Sequence, residues 1–360
     1  CPAFQTRAMV RPRMEPQNTP KSHTMLFVIG APRSGTTLLE RMLSAHSMVQ
    51  GGPEPHLLTP LAHLGVWSNV DKAPYDHILA AEAQKSFVQA LPGKETDYWS
   101  ACRAYCDVLY GRYLEGAGGL PVCLDKTPAY GLILPFLEHV FLDAKYIVLT
   151  RHPLALYSSF ANSFFDGDYA AAHAHNPILE RYVPALAAFL RRHKVATLHV
   201  RYEDLVKAPE DWFEKICAHT GIPYEAEAIA YGERKSNGNE RTGLGDPLGV
   251  KQHARPTTGS LKKWVEELAA DPAKEAFMRG LIARLNPADL QTLGYKEEAL
   301  WEPLDEARTQ PIAPKRPPLS RYRMQRRIIM NLRAQARKGG LLRKTLEKIR
   351  LVTDVLLREE

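Results

Sequence analysis

Residues 27–39, Phe27-Val28-Ile29-Gly30-Ala31-Pro32-Arg33-Ser34-Gly35-Thr36-Thr37-Leu38-Leu39, run from an apolar stretch through a glycine loop into a helical pattern. Gly30 and Gly35 have the spacing of the phosphate-binding pattern G-x-x-x-x-G-K-[ST], and Thr37 takes the hydroxyl position, but Thr36 stands where the lysine belongs. Glycines there let backbone N–H groups turn inward, the helix start adds partial positive charge, and Thr36 and Thr37 add two hydroxyl donors. The loop can cradle an anion. It lacks the lysine that reaches β- and γ-phosphates. The one candidate for a magnesium-binding Asp, in Val122-Cys123-Leu124-Asp125, continues into Lys126-Thr127-Pro128, which suggests another use. ATP hydrolysis is disfavoured on both counts. Arg33 supplies, inside the loop, a cation that nucleotide hydrolases usually lack there.

Outward from the loop, 25–29 reads as a strand and 37–45 as a helix with Leu38, Leu39, Met42 and Leu43 on its apolar face. Short apolar runs recur at 121–124, 146–149 and 197–200, each ending in a polar cluster, with helical patterns at 84–89, 99–114, 132–141, 155–164 and 177–193. Strands alternating with helices predict an α/β fold, a parallel β-sheet flanked by helices. Such sheets bind ligands at the carboxyl ends of their strands, where these polar clusters fall.

The 360 residues, 45% of them hydrophobic, suffice for one large or two small domains. Residues 1–24, polar with four prolines, read as a mobile arm; 25–300 as the main domain; 301–319, with Pro303, Pro311, Pro314, Pro317 and Pro318, as a semi-extended linker; and 320–360 as a basic helical C-terminal extension. Of the formal charge of +7, residues 319–360 hold twelve Arg or Lys against four Asp or Glu, so the rest is near neutral. No nucleic-acid partner is expected from so local an excess, and the tail lacks regularly interleaved aromatics. Its Leu342, Leu346, Ile349 and Leu356, interrupted by Thr353, are too few heptads for a coiled coil and fit a helix docked on its own domain, with an anionic partner or self-association as alternatives. Five cysteines without a C-x-x-C pair read as free thiols. No apolar run reaches 18 residues, residues 1–24 lack the apolar core of a signal peptide, and no Asn begins an N-x-[ST] sequon, which together favour a cytoplasmic setting. The chain opens on Cys1 instead of Met, as an excised segment of a longer protein would.

Gly30 through Leu39 resembles the 5′-phosphosulfate loop of sulfotransferases that use 3′-phosphoadenosine 5′-phosphosulfate (PAPS), in which the missing lysine is part of the pattern. The family's second motif, an arginine after a strand and a serine eight residues later, both on the 3′-phosphate, is similar to Arg151 and Ser159 here. Arg201-Tyr202-Glu203-Asp204-Leu205-Val206 resembles the family's Y-E-D-L segment, whose tyrosine lies near the adenosine. Arg255-Pro256-Thr257-Thr258-Gly259-Ser260-Leu261-Lys262-Lys263-Trp264 looks like the segment that closes over the nucleotide, with Lys263 before the tryptophan as a phosphate contact. The resemblance covers about residues 25 to 265. It implies the sulfotransferase fold, PAPS as donor and PAP as product, and a donor site of Arg33, Ser34, Gly35, Thr36, Thr37, Arg151, Ser159, Tyr202 and Lys263.

Sulfuryl transfer to a hydroxyl needs a base for the acceptor and stabilisation of the charge on the sulfuryl group and the departing phosphate oxygen. Backbone donors and cations can supply the latter, so no metal is required. In Gly51-Gly52-Pro53-Glu54-Pro55-His56, Glu54 lies 21 residues after Arg33, where protein-tyrosine sulfotransferases carry their catalytic glutamate, and the glycines and prolines predict a fixed loop. His56, whose ordinary pKa suits proton abstraction near neutrality, is the competing base or a positioning group. Lys126 matches the family lysine that faces the sulfuryl group or the bridging oxygen.

The acceptor is the least legible feature. Pro53-Glu54-Pro55-His56-Leu57-Leu58, Leu244-Gly245-Asp246-Pro247-Leu248 and His253 are similar to segments of sulfotransferase domains in modular polyketide synthases, which implies a hydroxyacyl group on an acyl carrier protein, or else a small hydroxylated metabolite. A sugar and a tyrosyl peptide are the rival acceptors. The helical region between Val66 and Leu114 is expected to cover the acceptor. The reading from a different class is a P-loop kinase or nucleotide-binding module, against which the absent lysine counts.

Overall fold

The computed structural model describes residues 23–52, 54–62, 77–232 and 254–308, together with 344, 345 and 349. Five strands, β1 (Thr24–Ile29), β2 (Val49–Gln50), β3 (Val122–Asp125), β4 (Lys145–Thr150) and β5 (Ala196–Arg201), form one sheet in the order β2-β3-β1-β4-β5. Every pairing is parallel. In the register, Leu26 of β1 stands opposite Leu124 of β3 on one side and Lys145 of β4 on the other.

β1 is the central strand, and its sequence shows why. Leu26, Phe27, Val28 and Ile29 are all fully buried, because a parallel strand covered on both faces has no polar side to present. Alternation splits the strand between two cores. Met25, Phe27 and Ile29 face the larger, with the helices Glu95–Gly116, Leu134–Val140, Pro153–Phe164 and Ile178–Arg192. Leu26 and Val28 face the smaller, with α1 (Thr36–Ser44) and the helices Tyr202–Lys207 and Pro209–Thr220. Phe27 stacks on Tyr146 at 5.3 Å between ring centroids and meets Phe141 edge-on at 5.1 Å. Burial of each such side chain contributes on the order of 1.5–3 kcal/mol.

From β1 the chain crosses outward to β2, returns through β3, and then passes over β1 to β4 and β5. Strand order therefore reverses beside β1, so the crevice at its carboxyl end is the place where such sheets bind ligands. Residues 30–35 occupy that crevice.

The prolines of 301–319 predict a linker from residue 301, but Glu302–Arg308 is a helix with Leu304 fully buried. Pro303 lies in its first turn, where a missing N–H breaks no helical bond. The two-residue β2 and the helices Lys263–Ala270, Pro272–Ile282 and Pro287–Thr292 also lie beyond the sequence-based expectations. The arm 1–22, the stretch 309–343 and nearly all of the remaining tail lie outside the described residues, as do 244–248 and His253. Cys102, Cys106, Cys123 and Cys217 are free and buried. Among the described residues, no helix is long and apolar enough to cross a membrane.

Candidate active site

The loop after β1 turns through two left-handed residues, Arg33 at φ 73° and Gly35 at φ 103°, before α1 begins at Thr36. Gly35 is required there: a Cβ would sit 2.4 Å from Cδ2 of Tyr202. The loop thus packs directly on the first residue of the helix that follows β5. Ser34 is fully buried and its hydroxyl has no hydrogen-bond partner among the described residues, although a buried hydroxyl ordinarily has one. Thr36 is buried at the helix start, and Thr37 is half-buried beside it.

Arg151, just past the end of β4, reaches across this loop. One guanidinium nitrogen donates to the Arg33 carbonyl at 2.9 Å, another to the Ser260 carbonyl at 3.5 Å, and the group lies 4.6 Å from the centroid of the Tyr202 ring. Its Nε is buried without a partner among the described residues. Desolvation holds Arg151 below the usual arginine range, against the opposing pull of Tyr202 and Glu203. Arg33 Nε donates to Ser159 Oγ at 3.2 Å, on the helix Pro153–Phe164. Tyr202 and Ser260 join their hydroxyls at 2.7 Å. Arg33, Arg151, Ser159 and Tyr202, drawn from four parts of the sequence, therefore form one connected cluster around a loop built for an anion.

A second cluster lies at the ends of β2 and β3. Lys126 Nζ donates to Glu54 Oε1 at 2.6 Å, and His56 Nε2 lies 3.4 Å from Glu54 Oε2. The lysine and glutamate side chains are 2% and 12% exposed, whereas His56 is 41% exposed and takes a left-handed φ of 50°. Glu40 of α1 belongs to the same neighbourhood. Burial pushes its carboxyl up, while nearby Lys126 and a hydrogen bond from Ser44 at 3.0 Å pull it down.

Asp125, the residue before Lys126, is fixed from three sides. Tyr110 donates to Oδ2 at 2.6 Å, Tyr130 to the same oxygen at 3.1 Å, and Thr127 to Oδ1 at 3.0 Å. Its carboxyl is nevertheless pushed up to about 6, because desolvation outweighs those hydrogen bonds. In the sequence this residue stands where a magnesium ligand could; in the fold its oxygens are committed to hydroxyls that hold the end of β3.

Lys263 stands apart, exposed at the start of Lys263–Ala270, where the following Trp264 stacks on His152 at 4.7 Å. Glu40 and the tyrosines around Asp125 carry no motif, and Ser260 lies within a quoted segment without being singled out from it. Only their spatial partners single them out.

The family model described as "Sulfotransferase family" matches residues 26–226 of this chain. The chain is 28% identical over 295 residues to nodulation protein NoeE of Sinorhizobium fredii, a match covering 75% of this chain and 66% of that protein. It is 23% identical over 281 residues to the protein-tyrosine sulfotransferase of Drosophila melanogaster, covering 75% of this chain and 51% of the relative. The match thus spans less than two thirds of either relative. Among solved structures, the sulfotransferase domain from the curacin biosynthetic pathway superposes with a TM-score of 0.51 at 23% identity, over 76% of this chain and 98% of that domain.

Proposed function

The chain belongs to the sulfotransferase family, and from that premise we propose that it moves the sulfuryl group of PAPS to an acceptor hydroxyl by in-line transfer. The observation that supports this donor most directly is the interlock of Arg33, Ser159 and Arg151 around a loop whose Ser34 hydroxyl and Arg151 Nε have no partner among the described residues. Buried polar atoms left unpaired fit a missing anionic ligand.

In this reading the loop's N–H groups with Ser34, Thr36 and Thr37 hold the 5′-phosphosulfate. Arg151 and Ser159 hold the 3′-phosphate, Tyr202 lies by the adenosine, and Lys263 is a further phosphate contact. PAPS supplies the sulfuryl group. The acceptor oxygen forms the new S–O bond, the bond to the 5′-phosphate breaks, and PAP departs with its electron pair. The acceptor proton passes to Glu54, with His56 as the competing base, while Lys126 meets the negative charge that develops on the transferring group. The Glu54 to Lys126 contact suits that division, since it sets a proton acceptor beside a cation with little water between.

For the acceptor we propose a hydroxyl on an extended, partly apolar molecule, a hydroxyacyl chain on a carrier protein or else a free metabolite. The stretch Glu54 to Leu58 supports this, since it sets the acid–base pair beside Leu57 and Leu58.

Titration calorimetry with 3′-phosphoadenosine 5′-phosphate and with adenosine 5′-phosphate tests the donor assignment. The first should bind more tightly by about 1.5–3 kcal/mol, the scale of hydrogen bonds to a charged group. Equal affinities would overturn it.

A further inference from the structure

Glu54 sits in the loop between β2 and the helix Leu58–Ala62. His56 is kept in a left-handed conformation that non-glycine residues adopt at a cost. The loop is pinned at both ends by tyrosine hydroxyls. Three residues before Glu54, the Gly51 carbonyl accepts from Tyr113 at 2.8 Å, whose oxygen also accepts from Gln50 Nε2 at 2.9 Å. Four residues after Glu54, the Leu58 N–H donates to Tyr130 at 3.1 Å. Tyr130 in turn donates to Asp125, and so does Tyr110, which lies one helical turn from Tyr113 on Glu95–Gly116. The same helix sends Tyr98 to the Leu61 carbonyl at 2.9 Å.

These bonds converge on the reacting pair from both sides. Asp125 fixes the end of β3, from which Lys126 extends, and through Tyr130 it fixes the loop from which Glu54 extends. We propose that Asp125, Tyr130 and Tyr113 are positioning residues that set the Glu54 carboxylate against Lys126. The frame touches neither donor nor acceptor and acts through Glu54. It rests on the assignment of Glu54 as the base.

The test measures PAP release from PAPS, with a 3-hydroxyacyl pantetheine as acceptor probe and with water alone, in Tyr130→Phe, Glu54→Gln and the double variant. Tyr130→Phe removes both the acceptor of the Leu58 amide and a donor to Asp125. Its kcat should fall by about tenfold to a hundredfold, the scale for a misplaced catalytic group, with PAP affinity unchanged. In the Glu54→Gln background the same change should add almost nothing, because residues acting through one group are not additive. Tyr113→Phe, at the other end of the loop, repeats the experiment if Tyr130→Phe fails to bind PAP. Full turnover in Glu54→Gln would overturn the base and this proposal together. A slow Glu54→Gln beside an unimpaired Tyr130→Phe, or losses that multiply in the double variant, would overturn the positioning proposal alone.

Discussion

Lys126 Nζ lies 2.6 Å from Glu54 Oε1, although the two residues are 72 positions apart. One comes from the end of β3 and the other from the loop after β2, so the sheet edge creates the pair. Removing either member does not have the same consequence. Gln at position 54 keeps an oxygen for the lysine to donate to, while loss of the lysine leaves a poorly exposed carboxylate beside Glu40.

Glu54→Gln should therefore lower kcat with little change in PAP affinity and with a smaller stability loss than Lys126→Met, because the amide oxygen still accepts from the buried lysine while its charge loses a counterpart. Lys126→Met should lower kcat by about 10²–10³-fold and destabilise the fold by about 3 kcal/mol, as expected when one partner of a buried pair is removed. Steady-state kinetics and denaturant melts of both variants check this. An active Glu54→Gln beside an inactive His56→Ala would move the base to His56.

On the donor side, Arg151→Ala should weaken PAP binding by about 1.5–3 kcal/mol and erase the preference for a 3′-phosphate, since the guanidinium is charged and buried. Ser159→Ala removes one neutral hydroxyl and should cost about 0.5–1.5 kcal/mol. Calorimetry on the two variants gives both figures, and the order of the losses is the informative result.

Gly35→Ala should abolish PAP binding. At φ 103° an alanine is strained, and its Cβ would meet the Tyr202 ring at 2.4 Å, so either the loop or the tyrosine must move. A stability loss of roughly 1–3 kcal/mol in a thermal or urea melt should accompany it.

The glycine loop, the alternation of four of the five strands with helices, and the Arg151 to Ser159 spacing were legible in the sequence because each is local. Glycine spacing sets a turn, an apolar run sets a strand, and eight residues set two turns of helix. The run at 121–124 became Val122–Asp125 and the run at 146–149 became Lys145–Thr150, so even the ends were close. The frame around Glu54 was illegible for the opposite reason. Tyr98 and Tyr110 occupy the buried stripe of Glu95–Gly116, where a tyrosine reads as one more apolar residue, and what each hydroxyl meets depends on chain packing. Glu40 reads as an ordinary acid on an amphipathic helix until the fold brings Lys126 near it. Pro303 misled because a proline marks a linker and a helix start equally well.

Asp125 makes a prediction about pH. Its folded carboxyl titrates near about 6 against an ordinary value of 3.8, so between those limits the folded state holds more protons than the unfolded one. Stability from this group is therefore full below about pH 4 and is lost as pH rises through 6, a change on the order of 3 kcal/mol. His152 opposes it: burial pushes its imidazole down to about 3, so its contribution is lost as pH falls below 6.5. Replacing Asp125 with Asn removes the first effect and leaves the second. The variant's stability should thus rise more steeply than the parent's from pH 4 to pH 6, as urea midpoints across that range would reveal; parallel curves would contradict the assignment.

The acceptor depends on residues other than the cluster around Arg33 and Arg151. Leu57 is half-buried three residues from Glu54, whereas Leu58 is in the core, so in the proposed reading the hydroxyl that approaches the base passes Leu57. A sugar would leave several hydroxyls unpaired against that leucine, at a desolvation cost of about 1–3 kcal/mol for each one buried. A hydroxyacyl chain would present one hydroxyl and cover Leu57 with methylenes, each contributing about 0.8 kcal/mol. Incubation with PAPS and four acceptor classes, hydroxyacyl carrier proteins, free hydroxylated metabolites, sugars and tyrosyl peptides, should therefore give a mass gain of one sulfuryl group on the first or second. Leu57→Ser and Leu57→Ala should raise KM for that acceptor and leave PAP affinity unchanged, the serine more than the alanine. A mass gain confined to sugars or tyrosyl peptides would overturn the acceptor and spare the donor, since the nucleotide proposed for the loop and Arg151 is the same in either case.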